Sequence, residues 1–450
     1  MSFEVIVVGG GFTGMTAAAA LSRTGARVKV FEAAQTTDPR FRGELIHPRG
    51  VRGLDDLGLK APLMDRGGVA VWGFSVTPGA GIAPSVLPYA EAQGPGLGID
   101  HHEMVLAMRK QVAARRNVSV ITGQRITDFV REGSRIAGVR GADDQIHRAD
   151  LVVVADGRHS KLRELLGLEP QITLLSHTVA FGLAGELPSG PMGHVFLGAQ
   201  GPILAYPYGK GLIRFCVDVP LGAAKGKQAI IDLLIRDYAP VVPASLRDAM
   251  ISSLNEVPFE GCANHSITTS ACAAPGVVLV GDAGGCSHPL TASGMTNAIH
   301  DVLTLGELVG QSGPSDAALS EYQRRRYDFV RMRDLFTDAL YEVFRGHDAG
   351  SQALQEGVFK YWASSERSRE ASMNILSGEE VRVSRFVSEY SRVFRRSAVD
   401  VMAGLMKNPR GGTATLSSLV KTSYGRMEVA ASRAAKRWVE RHRLELHELP

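Results

Sequence analysis

The apolar positions of this chain gather into short, unbroken runs, and three of those runs lead into glycine-containing turns. Val5-Ile6-Val7-Val8 leads into Gly9-Gly10-Gly11-Phe12-Thr13-Gly14. Leu151-Val152-Val153-Val154-Ala155 leads into Asp156-Gly157-Arg158. Val277-Val278-Leu279-Val280 leads into Gly281-Asp282-Ala283 and then His288-Pro289-Leu290-Thr291. Wholly apolar runs bounded by turn residues predict buried strands of a parallel sheet. The alanine-rich stretch Met15 to Arg23 predicts a helix, and Val28 to Phe31 a second strand. His101 to Arg115 predicts a helix with Met104, Val105, Met108 and Val112 on one side. Val118 to Ile121 and Arg135 to Val139 predict strands, and Gly67 to Gly98, rich in glycine and proline, predicts strands and turns. His194 to Leu197, Ile203 to Tyr206 and Leu212 to Val219 predict a β-rich middle section, followed by a helix over Lys227 to Asp237. From Asp316 onward the pattern is helical.

Each glycine-rich segment suits a different part of one large cofactor. In the first, Gly9 makes the turn, Gly11 lets the main chain approach a pyrophosphate, and Gly14 lets the helix that carries Thr13 pack on its strand. Glu32 follows roughly 20 residues on, where an acid takes ribose hydroxyls. This unit alone suits FAD or NAD. In the third, Asp282 ends a buried-type strand, where a carboxylate can accept from a ribityl hydroxyl. Pro289 and Gly294 shape a turn, and Met295 opens a helix whose N-terminus would stabilise negative charge on a reduced flavin ring. The plainer readings are a tight turn for the first segment and a helix cap for Asp282. The occurrence of all three segments in order favours FAD.

The expected fold is α/β (α+β): a Rossmann-type FAD-binding domain, a β-sheet substrate domain and a C-terminal helical region. The expected boundaries are 1–75, 100–175 and 275–310 for the FAD domain, 76–99 and 176–274 for the substrate sheet, and 311–450 for the helices. A length of 450 residues suits two lobes with a substantial core. The net charge of +4 gives no argument for nucleic acid. Cys216, Cys262, Cys272 and Cys286 form no metal-ligand spacing and read as reduced thiols, so no metal is expected. No run reaches the roughly 18 apolar residues of a membrane span. The expected setting is cytoplasmic, with at most peripheral membrane contact through a basic helix over about Tyr424 to Leu446.

Longer segments carry a resemblance to squalene epoxidases, FAD-dependent monooxygenases of the para-hydroxybenzoate hydroxylase fold. Gly43-Glu44-Leu45-Ile46-His47-Pro48 resembles that family's GELLQP segment, and Asp55-Asp56-Leu57-Gly58-Leu59 follows as it does there. Gly201 to Pro207 and Arg214 to Asp218 resemble its substrate-lobe strands. His288 to Thr296 is close to its HPLTGGGMT run. The resemblance places Glu32 on the adenosine ribose, Arg40 near the phosphates, Asp282 on the ribityl chain and the Met295 backbone on the ring. Arg125 and Asp156 complete the candidate cofactor set. Two departures stand out: Phe74 takes the place of the family's flavin-side tyrosine, and Glu103 that of a cofactor-binding arginine.

The resemblance implies transfer of oxygen from a flavin C4a-hydroperoxide to an electron-rich alkene or aromatic ring of an isoprenoid or prenylated substrate. No catalytic side chain is singled out. Trp72, Phe74, Tyr206, Phe215 and Leu290 are the candidate pocket residues. Electrons would come from NAD(P)H, directly or through a separate reductase. The alternatives are a prenyl-chain reductase of the geranylgeranyl type and a non-catalytic prenyl-binding protein. A flavin halogenase is disfavoured by the missing WxWxIP segment.

Overall fold

The protein was analysed as a computed structural model that describes residues 3–37, 41–168, 170–256, 259–405, 413–421 and 423. The three glycine-terminated runs form the middle of one sheet. Its six strands run in the order Ala273–Ala274, Val277–Leu279, Leu151–Val154, Glu4–Val8, Arg27–Glu32 and Val118–Thr122. All neighbours are parallel except the first pair. Parallel pairing buries both faces, which is why these strands are apolar throughout. The helix Phe12–Ser22 covers the sheet through an almost wholly buried surface that includes Met15, Ala17, Ala18 and Leu21.

A second sheet has eight strands in the order Gly285–Cys286, Glu260–Thr268, Gln171–Ala184, Leu212–Pro220, Ile203–Gly209, Gly193–Phe196, Gly73–Thr77 and Ser85–Pro88. Only Gly73–Thr77 and Gly193–Phe196 run parallel. Its first strand lies inside the third glycine-rich segment, so the chain that carries Asp282 continues directly into this sheet. One face packs against the helices Lys227–Leu233 and Ala244–Glu256 in a separate core built on Phe181, Phe196, Phe215, Tyr238 and Met250. Strand alternation turns the neighbouring residues, among them Tyr206, Arg214, Cys216 and Asp218, to the other face.

The chain divides into two compact units. The first comprises Met1–Arg331 with Met373–Glu380, and the second Met332–Ser372 with Val381–Pro450. The boundary between these units falls inside the helix Asp316–Arg345. The first half of that helix belongs with the parallel sheet: Tyr322 donates to the Leu279 carbonyl at 2.9 Å, and Gln323 accepts from the backbone of Cys272 and Ala273. The second unit is helical over Ala349–Ser364 and Val383–Leu405. The predicted basic helix over Tyr424 to Leu446 lies outside the described residues.

Candidate active site

The glycine-rich segments meet at the carboxyl ends of their strands. Gly9, at φ +105°, lies so close to the segment before Asp156 that a Cβ there would stand 2.4 Å from the Ala155 carbonyl oxygen. Gly14 has less room, since its Cβ would stand 1.8 Å from the Gly9 oxygen. Gly281, at φ +58°, faces Thr13, whose hydroxyl would be 2.8 Å from an added Cβ. Gly9 and Gly14 are thus packed against backbone and Gly281 against the Thr13 side chain, and only glycine fits the contacts.

Buried cations tie these turns together from behind. Arg163 donates to the Ala283 carbonyl at 3.1 Å and to the Arg158 carbonyl at 3.0 Å, linking the second segment to the third. Arg326 donates to Asp301 at 2.9 Å and to the carbonyls of Gly284 and Gly281 at 3.1 and 3.3 Å. Asp301 also accepts the Gly281 N–H at 2.9 Å. Burial pushes the Asp301 carboxyl above its ordinary range, and the Arg326 charge pulls it back. Sequence reading missed this pair because its members sit on different helices, 25 residues apart.

The side of the turns away from these cations is open. A Cβ on Gly11, Gly157 or Gly294 would meet nothing within 4 Å. The helices Phe12–Ser22 and Gly294–Ser312 both begin with no side chain capping their free N–H groups. Glu32 accepts from the Gly10 N–H at 2.6 Å, and the Arg109 guanidinium stands 3.4 Å from it while donating to the Gly10 carbonyl at 2.8 Å. Arg109 therefore brings an arginine to the glycine turn from the helix that also carries Glu103, whose side chain turns away to pair with Arg66. Asp282 is half-buried, 4.0 Å from the Arg158 guanidinium, and desolvation raises its carboxyl above the usual range. These features fit FAD: an acid at the ribose end, open glycines and an uncapped helix at the pyrophosphate, and a carboxylate and second uncapped helix toward the ring.

Other candidates are placed as follows. Asp156 is held above its usual range by burial, with Ser160 opposing. Arg125 is exposed next to Gln124, whose N–H donates to the Glu32 carbonyl at 3.0 Å. Arg40 lies outside the described residues. Pro289 is exposed and Leu290 and Met295 half-buried on the turn that enters the second helix. Tyr206 and Phe74 lie on the sheet face that bears on this turn. Tyr206 donates to Glu44 at 3.3 Å, and Phe74 packs 6.0 Å from the His47 ring. Trp72 is half-exposed, held by its backbone to Pro191 and Tyr89. Phe215 is a correction. It stacks on Phe181 at 5.4 Å in the core on the opposite face, so it is a packing residue of the sheet and no part of a pocket at the turn.

Two polar clusters fasten the inner face of the sheet, one to the segment that carries Glu44 and one to this turn. Glu44, almost fully buried, takes a bidentate contact from Arg214 at 2.7 and 2.8 Å. Burial raises its carboxyl to about 7 against the pull of Arg214. His288 accepts the Leu290 N–H on Nδ1 at 3.1 Å, so Nε2 carries the proton and donates to Asp218 at 3.2 Å. Ser176 also donates to Asp218, and Asn264 donates to Ser176 at 2.9 Å.

Comparison with known proteins agrees with this geometry. The family model described as squalene epoxidase matches residues 148–407, and one described as an NAD(P)-binding Rossmann-like domain matches 7–58. Squalene epoxidase erg1 of Aspergillus fumigatus is 31% identical over 80% of this chain and 79% of its own length. The chain belongs to the squalene epoxidase family. Squalene epoxidase 3 of Arabidopsis thaliana is likewise 31% identical, over 80% of this chain and 71% of its length. Among solved structures, a point variant of Klebsiella pneumoniae HpxO complexed with FAD matches with TM-score 0.70 and 25% identity, over 84% of this chain and 99% of its own. Membership makes this chain an FAD-dependent monooxygenase, and the prenyl-binding alternative without redox work falls away.

Proposed function

We propose that this monooxygenase inserts one oxygen atom into an electron-rich alkene or aromatic ring of an isoprenoid or prenyl-bearing molecule. The observation that supports the reading is that the third glycine segment runs directly into the substrate sheet, and that the turn after it is tied to that sheet's inner face through His288 and Asp218 and to His47, against which Phe74 packs. FAD, once reduced and exposed to oxygen, supplies the electrophilic oxygen atom. The protein supplies position and dryness. Gly9, Gly11, Gly14 and Glu32 would hold the adenosine diphosphate half, and Asp282 and the backbone of Gly294 and Met295 the ring half. Phe74 and the half-buried Leu290 offer apolar surface for an alkene and keep water from the reacting oxygen. Leu204 and Val195, buried on the same sheet face, extend that surface.

Among the described residues one parallel sheet has the dinucleotide topology. Reductant therefore reaches the flavin either as NAD(P)H visiting transiently or from a separate reductase. No described helix is long and apolar enough to cross a membrane. The proposed setting is cytoplasmic, with at most peripheral membrane contact. The test is a product screen by mass spectrometry with FAD-loaded protein, NAD(P)H and a general flavoprotein reductase. Squalene, a farnesylated aromatic and the same aromatic without its prenyl chain are the probes. The reading expects a product heavier by one oxygen from the farnesylated aromatic. Products heavier by two hydrogens would establish the prenyl reductase instead.

A further inference from the structure

His47 is fully buried and has no part in holding the sheet ladders, yet every polar atom of its ring is committed. Tyr89 lies within hydrogen-bond reach of Nδ1 at 2.7 Å, and the Thr291 carbonyl of Nε2 at 2.8 Å. A carbonyl oxygen can only accept, so Nε2 carries the proton. Nδ1 is then the acceptor and the Tyr89 hydroxyl the donor. The His47 backbone N–H adds a third bond, to the Thr296 hydroxyl at 3.1 Å in the first turn of the helix Gly294–Ser312. Phe74 closes the cluster, with its ring 6.0 Å from His47 and 6.3 Å, edge to face, from Tyr89.

The segment so held is conformationally expensive. Ala292, directly after Thr291, has φ +49°, and Asp144 is the other non-glycine residue with positive φ among those described. A strained residue persists only where its surroundings over-determine it. Here they do so from two sides, since His288 grips the Leu290 N–H and His47 the Thr291 carbonyl. Beyond this strained residue lie the exposed Gly294 and the uncapped N–H groups that open the helix.

We propose that His47 and Tyr89 are positioning residues. The tyrosine fixes the histidine tautomer, the histidine fixes the Thr291 carbonyl, and the N–H groups after it are thereby aimed at the negative charge that collects on a reduced flavin. The proposal rests on the FAD assignment and extends it to a tuning of the flavin itself. A donor aimed at developing charge favours the reduced form over the oxidised one, so loosening the dyad lowers the flavin's midpoint potential.

The experiment measures midpoint potential by dye-coupled reduction of the FAD-loaded protein, with thermal stability recorded in parallel. Tyr89→Phe and His47→Leu are expected to weaken the preference for reduced FAD about fivefold, the worth of one buried hydrogen bond. That reads as a potential about 20 mV more negative for a two-electron couple. His47→Gln is expected to stay near the wild-type potential, because its amide can donate to Thr291 and accept from Tyr89. His194→Gln, on the far face of the sheet, should lower stability and leave the potential alone. Potentials unchanged in both Tyr89→Phe and His47→Leu would overturn the proposal, whatever their melting temperatures. So would a His47→Gln protein as perturbed as His47→Leu. A wild-type protein that takes up no FAD would sink the cofactor assignment and this proposal with it.

Discussion

Replacing Arg326 by methionine tests whether the flavin turn is held from behind. Methionine keeps the length and much of the volume of the arginine stem but removes its charge and five donors. Three contacts vanish: the one to Asp301 at 2.9 Å and those to the carbonyls of Gly284 and Gly281. Asp301 is only 2% exposed and Arg326 7%, so water cannot replace what is lost. Breaking a buried pair by removing one partner costs about 3–5 kcal/mol, mostly because the other charge stays buried. Burial already pushes the Asp301 carboxyl upward, so it is expected to take a proton in the variant. The double variant Asp301→Asn/Arg326→Met removes the stranded charge and keeps an oxygen to accept the Gly281 N–H. Its cost should be about half that of Arg326→Met alone. Urea unfolding of FAD-stripped protein gives the first number, and fluorescence titration with FAD gives a second. FAD affinity should fall about tenfold in Arg326→Met, because the turn that carries Asp282 loses its support. A single variant costing under about 1 kcal/mol, or a double variant costing more than the single, would refute this reasoning.

Other perturbations separate folding from cofactor binding. Gly11→Ala should leave the melting temperature of the FAD-free protein unchanged, because its Cβ points into open space, while titration shows FAD affinity more than about tenfold lower. Gly14→Ala, with 1.8 Å to the Gly9 oxygen, should yield unstable protein even without FAD. Phe215→Ala should cost about 3–5 kcal/mol in urea unfolding, and the surviving enzyme should keep its KM, because Phe215 packs on the face away from the turn. Burial lowers the folded-state value of His194 from 6.5 to about 4, so the unfolded chain binds its proton first. Stability contributed by neutral His194 is therefore present above pH 6.5 and lost as pH falls toward 4, by about 3 kcal/mol. Melting curves from pH 7 to 4 should be flatter for His194→Gln. His300, lowered to about 3 by burial and by Arg49 and Arg326, adds a slope of the same sign.

The parts of this molecule legible in its sequence are those where local chemistry decides. Glycines that terminate apolar runs have one physical use when the backbone must approach another backbone. The contacts of Gly9 and Gly14 are that use. Strand alternation was equally plain over Leu212–Pro220, but alternation tells only that Arg214 and Phe215 face opposite ways. Which face meets the flavin turn depends on the helix Ala244–Glu256, unrecognised although Leu246, Met250 and Leu254 recur every four residues. The Asp301–Arg326 pair, the Arg109 contact to Gly10 and the His47–Tyr89 dyad join residues between 25 and 99 positions apart. Nothing local marks them. His47 stood inside a recognisable segment, yet only the fold shows that it holds the Thr291 carbonyl.

The central claim is that this flavin site passes one atom of dioxygen to a prenyl-bearing substrate. The direct test is a single turnover under 18O2. FAD-loaded protein is reduced with dithionite, freed of reductant, and mixed with 18O2 and the farnesylated aromatic. The account predicts one 18O atom in an epoxidised or hydroxylated product, approaching one per FAD, with little peroxide. Full recovery of the electrons as hydrogen peroxide, with no labelled product from this substrate or from squalene, would contradict it.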